Sequence, residues 1–395
     1  MQTTSVKLLY VANTRIPTEK AHGWAIMKMC ESFALAGHAV ELVLPKRKNP
    51  HFESVDAFHY YDIKKNFEIV FVPCPDLITI TGRLPRLLGL LLGIIQNWLY
   101  ARAVYGHLQK QHGAIIFSRE HRLLYFLRTL PNKLVYEVHD FPERHKSWYQ
   151  KLFERVDIVV VTNQWKKNEI TKRFGTAEEK IFVAPNAIDV EAYAHPLSKQ
   201  EARQKLSISQ NKKIVLYMGG FQRWKGVYVL GEALQYLSND IEVIFVGGGA
   251  EPDRGLFIEW LGQQGNDNFF VHDHVEHQYV PLWLWAADVL ALPGTAEDKN
   301  AFYYTSPLKL FEYIASGRPV VMTDVPAVRE VFERFGLDIP AAYVVPPDNA
   351  HVLAVALNNS IEQKGVSWPV LASHKLFLHT WQARARGIAD FIEKC

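Results

Sequence analysis

The run Thr305 to Thr323, TSPLKLFEYIASGRPVVMT, gathers residues whose types and spacing suit the holding of a phosphate beside a diol. Ser306 is a favoured helix N-cap and Pro307 suits the first helical position, where a missing N–H costs nothing. Gly317 fits just past the helix end, with Pro319 and a strand following. A helix N-terminus presents unpaired N–H groups and a partial positive charge, which together hold an anion. Pro307 has no N–H, so Leu308 and Lys309 are the expected donors, and a capping Ser306 Oγ would occupy one of them. Glu312 lies one turn beyond Leu308 on the same face, where its carboxylate can accept from both hydroxyls of a ribose. On spacing alone, an ordinary capped helix with a surface glutamate is the simpler account.

Two more positions carry chemistry. Lys225 directly precedes Gly226, just after an apolar run and at a helix start. A compact ammonium there can neutralise a departing diphosphate, although a solvated surface lysine explains the position about as well. His139 follows the apolar run Lys133–Val138 and adjoins Asp140. A neutral imidazole there can hydrogen-bond a sugar hydroxyl, and a satisfied core histidine fits equally. Gly247–Gly249 lack the GxGxxG spacing and read as a turn. No DxD pair stands at a strand end, so neither a catalytic metal nor another cofactor is expected.

Positioning these residues is the work of strands alternating with helices. Val6–Ala12 reads as the first strand, and Gly23, after His22, opens a helix with Ile26, Met29, Cys30 and Phe33 on one face. Gly37 is placed to end it. Further strands are expected at His38–Leu44, Phe67–Val72, Ala114–Ser118, Lys133–Val138 and Asp157–Thr162. The polar stretch Ala194–Lys213 reads as a linker with room for a short helix. A second series follows at Ile214–Met218, Ile241–Val246, Asp288–Leu292, Pro319–Thr323 and Ala342–Val345. Such alternation implies α/β architecture with parallel sheets: two Rossmann-like, doubly wound domains facing each other across a cleft. Ligands in such sheets bind beyond the carboxyl ends of the strands, where Lys225 and His139 lie. The expected domains are 1–195 and 196–375, with a closing segment 376–395.

The 395 residues suit two domains, and 48% hydrophobic against 22% charged is ordinary globular composition. Forty-four Lys and Arg against 41 Asp and Glu leave +3, too little for a nucleic-acid partner. Cys30, Cys74 and Cys395 are scattered and odd in number, which suits a reduced cytoplasmic protein. No signal peptide is expected. In Arg83–Ala103 the uninterrupted apolar part, Leu87–Ile95, is too short to span a bilayer. With Arg83, Arg86 and Arg102 beside it, the segment Leu84–Leu99 is a candidate for peripheral contact at the inner membrane face, against packing on the first domain.

The run SPLKLFEYIASGRPVV resembles the nucleotide-sugar-binding motif of glycosyltransferase family 4, the retaining group 1 glycosyltransferases of the GT-B fold. Other segments agree in order: Val135–Asp140 (VYEVHD), Val183–Tyr193 (VAPNAIDVEAY), Tyr217–Gly226 (YMGGFQRWKG) and Thr380–Ile388 (TWQARARGI). The last is similar to the family's closing helix, which crosses back to the first domain. The resemblance implies that Glu312 holds the ribose, Lys225 the diphosphate and His139 the donor sugar. It implies an acceptor on the first domain and the donor on the second, with the loop at Gly23 beside the phosphates. Two positions depart from the pattern. The family's first motif glutamate is Tyr304 here, and the arginine ahead of the Lys-Gly loop falls at Gly220, with Arg223 the nearest substitute. The expected activity is transfer from a nucleoside-diphosphate sugar to a glycan or lipid-linked acceptor in cell-surface polysaccharide synthesis. A nucleotide-sugar epimerase and a non-catalytic binding partner are the alternatives.

Overall fold

The computed structural model describes residues 5–77, 85–249, 251–336, 343–362 and 378–395. The chain divides into two compact units, 1–184 with 384–395, and 185–383.

The first unit is built on β1 (Lys7–Val11), β2 (Ala39–Lys46), β3 (Glu68–Pro73), β4 (Ile115–Ser118), β5 (Lys133–Val138), β6 (Ile158–Val161) and β7 (Ile181–Val183). All neighbours are parallel, in the order β3-β2-β1-β4-β5-β6-β7. Tyr10 of β1 sits opposite Leu42 on one side and Phe117 on the other. A parallel sheet covered on both faces demands unbroken apolar strands, and β6 (IVVV) is buried at all four positions.

The second unit carries β8 (Lys213–Gly220), β9 (Ile241–Gly248), β10 (Phe269–His272), β11 (Val289–Leu292), β12 (Val320–Thr323) and β13 (Val344–Val345), parallel in the order β10-β9-β8-β11-β12-β13. Strand order reverses between β1 and β4 in one sheet and between β8 and β11 in the other. These switch points are where open α/β sheets bind ligands. β7 and β10 were not expected. Each is a short strand, three or four residues, and β10 is half-exposed at a sheet edge. Ala342, at the start of the last expected strand, lies outside the described residues.

Six helices bear on function: α1 (Ala21–Leu35), α2 (Arg86–Leu108), α3 (Gln164–Phe174), α4 (Lys199–Leu206), α5 (Leu308–Ser316) and α6 (Trp381–Lys394). Three readings need correction. Gly23 does not open α1; it lies inside the first turn, where a Cβ would stand 2.4 Å from the Tyr61 hydroxyl, so the glycine serves close packing. The stretch read as a linker carries the short helix it had room for, α4, started by a capping box in which Ser198 and Glu201 satisfy each other's backbone, but it is not a linker. Ala202 is fully buried in the second unit's core and Arg203 donates to the Ala286 carbonyl and to Asp288, so this segment is part of that unit. The division also falls after Ala184 rather than at 195, because Ile188 and Tyr193 belong to the same core.

The third correction concerns α2. It has 23 residues and, by length and composition, is long and apolar enough to cross a membrane, because it continues well past Ile95. Its polar side turns inward. Gln96 Oε1 accepts from the Leu77 N–H (2.6 Å), Asn97 from Asn13 (2.8 Å), and the Tyr100 hydroxyl donates to the Ala12 carbonyl (2.7 Å). Leu87, Leu90, Leu91, Ile94 and Trp98 are left exposed, from 50% at Trp98 to 82% at Leu87. That is the reverse of an ordinary surface helix, which buries its apolar stripe. Arg83 and Leu84 lie outside the described residues.

Candidate functional site

In the second unit the loops leaving β8 and β11 meet at the switch point. Gly226 takes φ +76°, and a Cβ there would stand 2.8–2.9 Å from Gly294 backbone atoms, so only glycine permits this approach. The single turn Arg223–Lys225 is thereby held against the end of β11. Burial pushes the Lys225 ammonium down to about 8, so it is still mostly charged at neutral pH. Lys225 lies over the Trp224 ring at 3.7 Å. Arg223 is exposed and stacks on Tyr228 at 4.2 Å.

Helix α5 brings the other half. Its Tyr313 hydroxyl accepts from the Met218 N–H (2.9 Å), which fixes the helix to β8. Ser306 does not cap it. Pro307 is the N-cap residue and no side chain caps the helix, so Leu308 and Lys309 are the first two helical residues. Ser306 Oγ instead accepts from the Asn186 N–H (3.0 Å), and its carbonyl accepts from Asn186 Nδ2 (2.5 Å). The PNAID segment thus clamps the turn that precedes α5, and the N–H groups at the start of the helix are not spent on a serine. The Lys309 side-chain nitrogen is buried, has no hydrogen-bond partner among the described residues and lies 4.1 Å from the centroid of the Tyr217 ring. Burial first, then Lys225, hold it well below the usual amine range, against the opposing pull of Glu312.

Glu312 is mostly buried, and its Oε1 lies 2.8 Å from His277 Nε2. One carboxylate oxygen is therefore held by the histidine. Tyr304 is 5% exposed and ends the single π turn Asn300–Tyr304, whose start is braced by Asp298 accepting from the Asn300 N–H (2.7 Å). Gly220 ends β8, and its carbonyl accepts from the Tyr217 hydroxyl (2.7 Å).

In the first unit, His139 follows β5 and its Nε2 lies 3.2 Å from Glu137 Oε1. Glu137 is fully buried. Arg119 Nε donates to its other oxygen (2.7 Å), and Arg384, from α6, donates to Oε1. Burial alone would raise the Glu137 carboxyl, but Arg119 and Arg384 hold it well below the usual range. Burial, then Arg119, lower His139 to about 4, against the pull of Glu137, so the imidazole is neutral at physiological pH. The loop itself is fastened by Lys166 of α3, whose ammonium donates to the carbonyls of Val138 (3.1 Å) and His139.

The second unit thus gathers Lys225, Gly220, Leu308, Lys309 and Glu312 around the ends of β8 and α5. Gly23 and His139 are in the other unit. Glu137, Arg119, Arg384, Lys166 and His277 were not singled out in the sequence. Glu137 stands inside the VYEVHD segment and Arg384 inside TWQARARGI, but nothing local says that the two meet. Among the described residues no three His, Cys, Asp or Glu side chains gather as a metal would need.

Two family models match the chain: Glycosyltransferase Family 4 over residues 23–192 and Glycosyl transferases group 1 over 212–363. A D-inositol 3-phosphate glycosyltransferase of Xylanimonas cellulosilytica is 27% identical over 183 residues, 44% of this chain and 42% of that protein. The putative teichuronic acid biosynthesis glycosyltransferase TuaC of Bacillus subtilis is 26% identical over 268 residues, 66% of this chain and 62% of that one. The matches therefore span less than two thirds of either relative. Among solved structures, Anabaena Alr3699/HepE in complex with UDP and glucose superposes with a TM-score of 0.71 at 16% identity, covering 99% of this chain and 100% of that one. The sucrose-phosphate synthase of Thermosynechococcus elongatus gives 0.74 at 18%, covering 98% of each. These likenesses carry the GT-B fold, and with two family models on the two halves of the chain, this protein belongs to the group 1, family 4 glycosyltransferases.

Proposed function

We propose that this protein transfers a sugar from a nucleoside-diphosphate sugar to a glycan or lipid-linked acceptor in cell-surface polysaccharide synthesis. The observation that carries the reading is the uncapped start of α5, whose Lys309 feels the charge of Lys225, with Glu312 one turn further on. Unspent N–H groups, a helix dipole and an ammonium suit a diphosphate, and the carboxylate suits the ribose. HepE, on the same fold, is recorded with UDP and with UDP-glucose, and TuaC is named for teichuronic acid biosynthesis.

The donor's bond from the anomeric carbon to the phosphate oxygen breaks, and its electron pair leaves on the diphosphate. Lys225 and the helix N-terminus stabilise that charge. The acceptor hydroxyl oxygen bonds to the same face of the anomeric carbon, its proton passes to the leaving phosphate oxygen, and configuration is retained. No metal and no protein nucleophile is invoked. His139, whose imidazole is neutral at physiological pH, is suited to hydrogen-bond a hydroxyl of the transferred sugar. The outward apolar face of α2 rests on an anionic bilayer at the cytoplasmic side, where a lipid-linked acceptor is presented.

Incubating the protein with UDP-, GDP- and ADP-sugars, with and without membrane lipid extract, and with EDTA in a parallel set, tests this. Acceptor-dependent release of the diphosphate that survives EDTA is expected. Donor turnover without acceptor would point to an epimerase, and diphosphate binding without any turnover to a non-catalytic partner.

A further inference from the structure

In family 4 an arginine ahead of the Lys-Gly loop brings a second positive charge. Here that position is Gly220, and Arg223 points its guanidinium at the Tyr228 ring on an exposed turn. A different cation is present. Lys309 leaves the second residue of α5 and ends beside β8, where a Cβ on Gly219 would stand only 3.1 Å from its Nζ. That nitrogen is buried and makes no hydrogen bond among the described residues. The nearby Tyr217 hydroxyl is committed to the Gly220 carbonyl, leaving only the face of its ring. Glu312, three residues further on, has one oxygen engaged by His277. A buried ammonium with no acceptor is costly, and a second ammonium nearby makes it more so; an anion between the two relieves both costs.

We propose that the Lys309 side chain is the second diphosphate ligand of the donor site, supplying from α5 the charge missing at position 220. This rests on the nucleotide-sugar reading above. Lys225 and Lys309 then face the leaving group from the loop and from the helix. Without ligand, the Lys309 side-chain nitrogen rests over the face of the Tyr217 ring at 4.1 Å. Because burial and Lys225 hold Lys309 well below the ordinary amine range, binding of the anion draws a proton into the site.

Isothermal titration calorimetry near pH 8, in two buffers of different ionisation enthalpy, tests this with UDP, GDP, ADP, pyrophosphate and the matching nucleosides. Wild type should bind at least one diphosphate and take up protons as it does so. Lys309→Met should weaken that diphosphate roughly 10- to 100-fold, as for loss of a charged hydrogen bond. It should also lower the proton uptake and leave nucleoside binding unchanged. Its melting temperature without ligand should hold or rise, since a buried polar nitrogen lacking a hydrogen-bond partner among the described residues is gone. Adding Gly220→Arg should recover part of the affinity. Diphosphate binding within twofold of wild type with equal proton uptake overturns the proposal. If Lys309→Met instead melts lower, recovery by Gly220→Arg upholds the charge role and failure to recover overturns it. If wild type binds none of the diphosphates or pyrophosphate, the donor-site reading itself is overturned.

Discussion

Arg384→Met removes one of the two guanidiniums on a carboxylate that has no solvent to fall back on. Glu137 is fully buried and the Arg384 side chain is 3% exposed. Breaking a buried ion pair by deleting one partner costs about 3–5 kcal/mol. Arg119 remains on the other oxygen at 2.7 Å, which favours the low end. The Ala184 carbonyl, which accepts from Arg384 at 3.1 Å, also loses its donor, at about 1 kcal/mol. A loss of about 4 kcal/mol in a unit of this size lowers its melting temperature by roughly 8–16 °C. Differential scanning calorimetry reads this if the two units melt separately, and a bound diphosphate, which should raise only the second unit's transition, assigns them. The pH dependence has a fixed sign. The folded Glu137 carboxyl is depressed, so its contribution is present above the unfolded value near 4.3 and is lost as pH falls through the folded one. The deficit of Arg384→Met should therefore shrink on acidification below about pH 5, where the carboxyl left behind can take up a proton. A shift below about 2 °C would refute the buried-pair account.

The remaining predictions concern the donor site and α2. Lys225→Ala should lower kcat by roughly 10²–10³, because the leaving-group charge peaks in the transition state, and an unchanged kcat in steady-state assays removes it from the mechanism. With Lys225 near 8, the protonated fraction drops about tenfold between pH 7 and pH 9, so diphosphate affinity should fall as pH rises through that window; a flat calorimetric profile contradicts it. Glu312→Gln should weaken the ribonucleoside diphosphate by about tenfold but not its 2′,3′-dideoxy form, and His277→Ala should do the same more mildly, with equal losses on both ligands ruling out the ribose role. Leu91→Glu/Ile94→Glu should abolish co-flotation with anionic liposomes while leaving melting temperature within about 2 °C, because both positions face outward; wild type that never floats ends the membrane assignment.

The parallel strands were legible in the sequence because strands buried on both faces must be continuously apolar, as IVVV and KLLYV are. The helix within SPLKLFEY was legible for a local reason, Pro307 at its start and Gly317 in the left-handed conformation just past its end. Contacts across long stretches of chain were not. Glu137 meets Arg384 across 247 positions, Glu312 meets His277 across 35, and Asn186 takes the hydroxyl of Ser306 that local rules assign to a helix cap. Local propensity ranks Ser306 as a good cap, but only tertiary packing decides which N–H reaches its oxygen first. The direction of a flexible side chain is likewise invisible in a string of residues. Lys309 and Arg223 are both cations near the start of a helical turn, yet one points into the protein and the other over a surface ring, because burial and neighbouring rings, not sequence spacing, choose the rotamer.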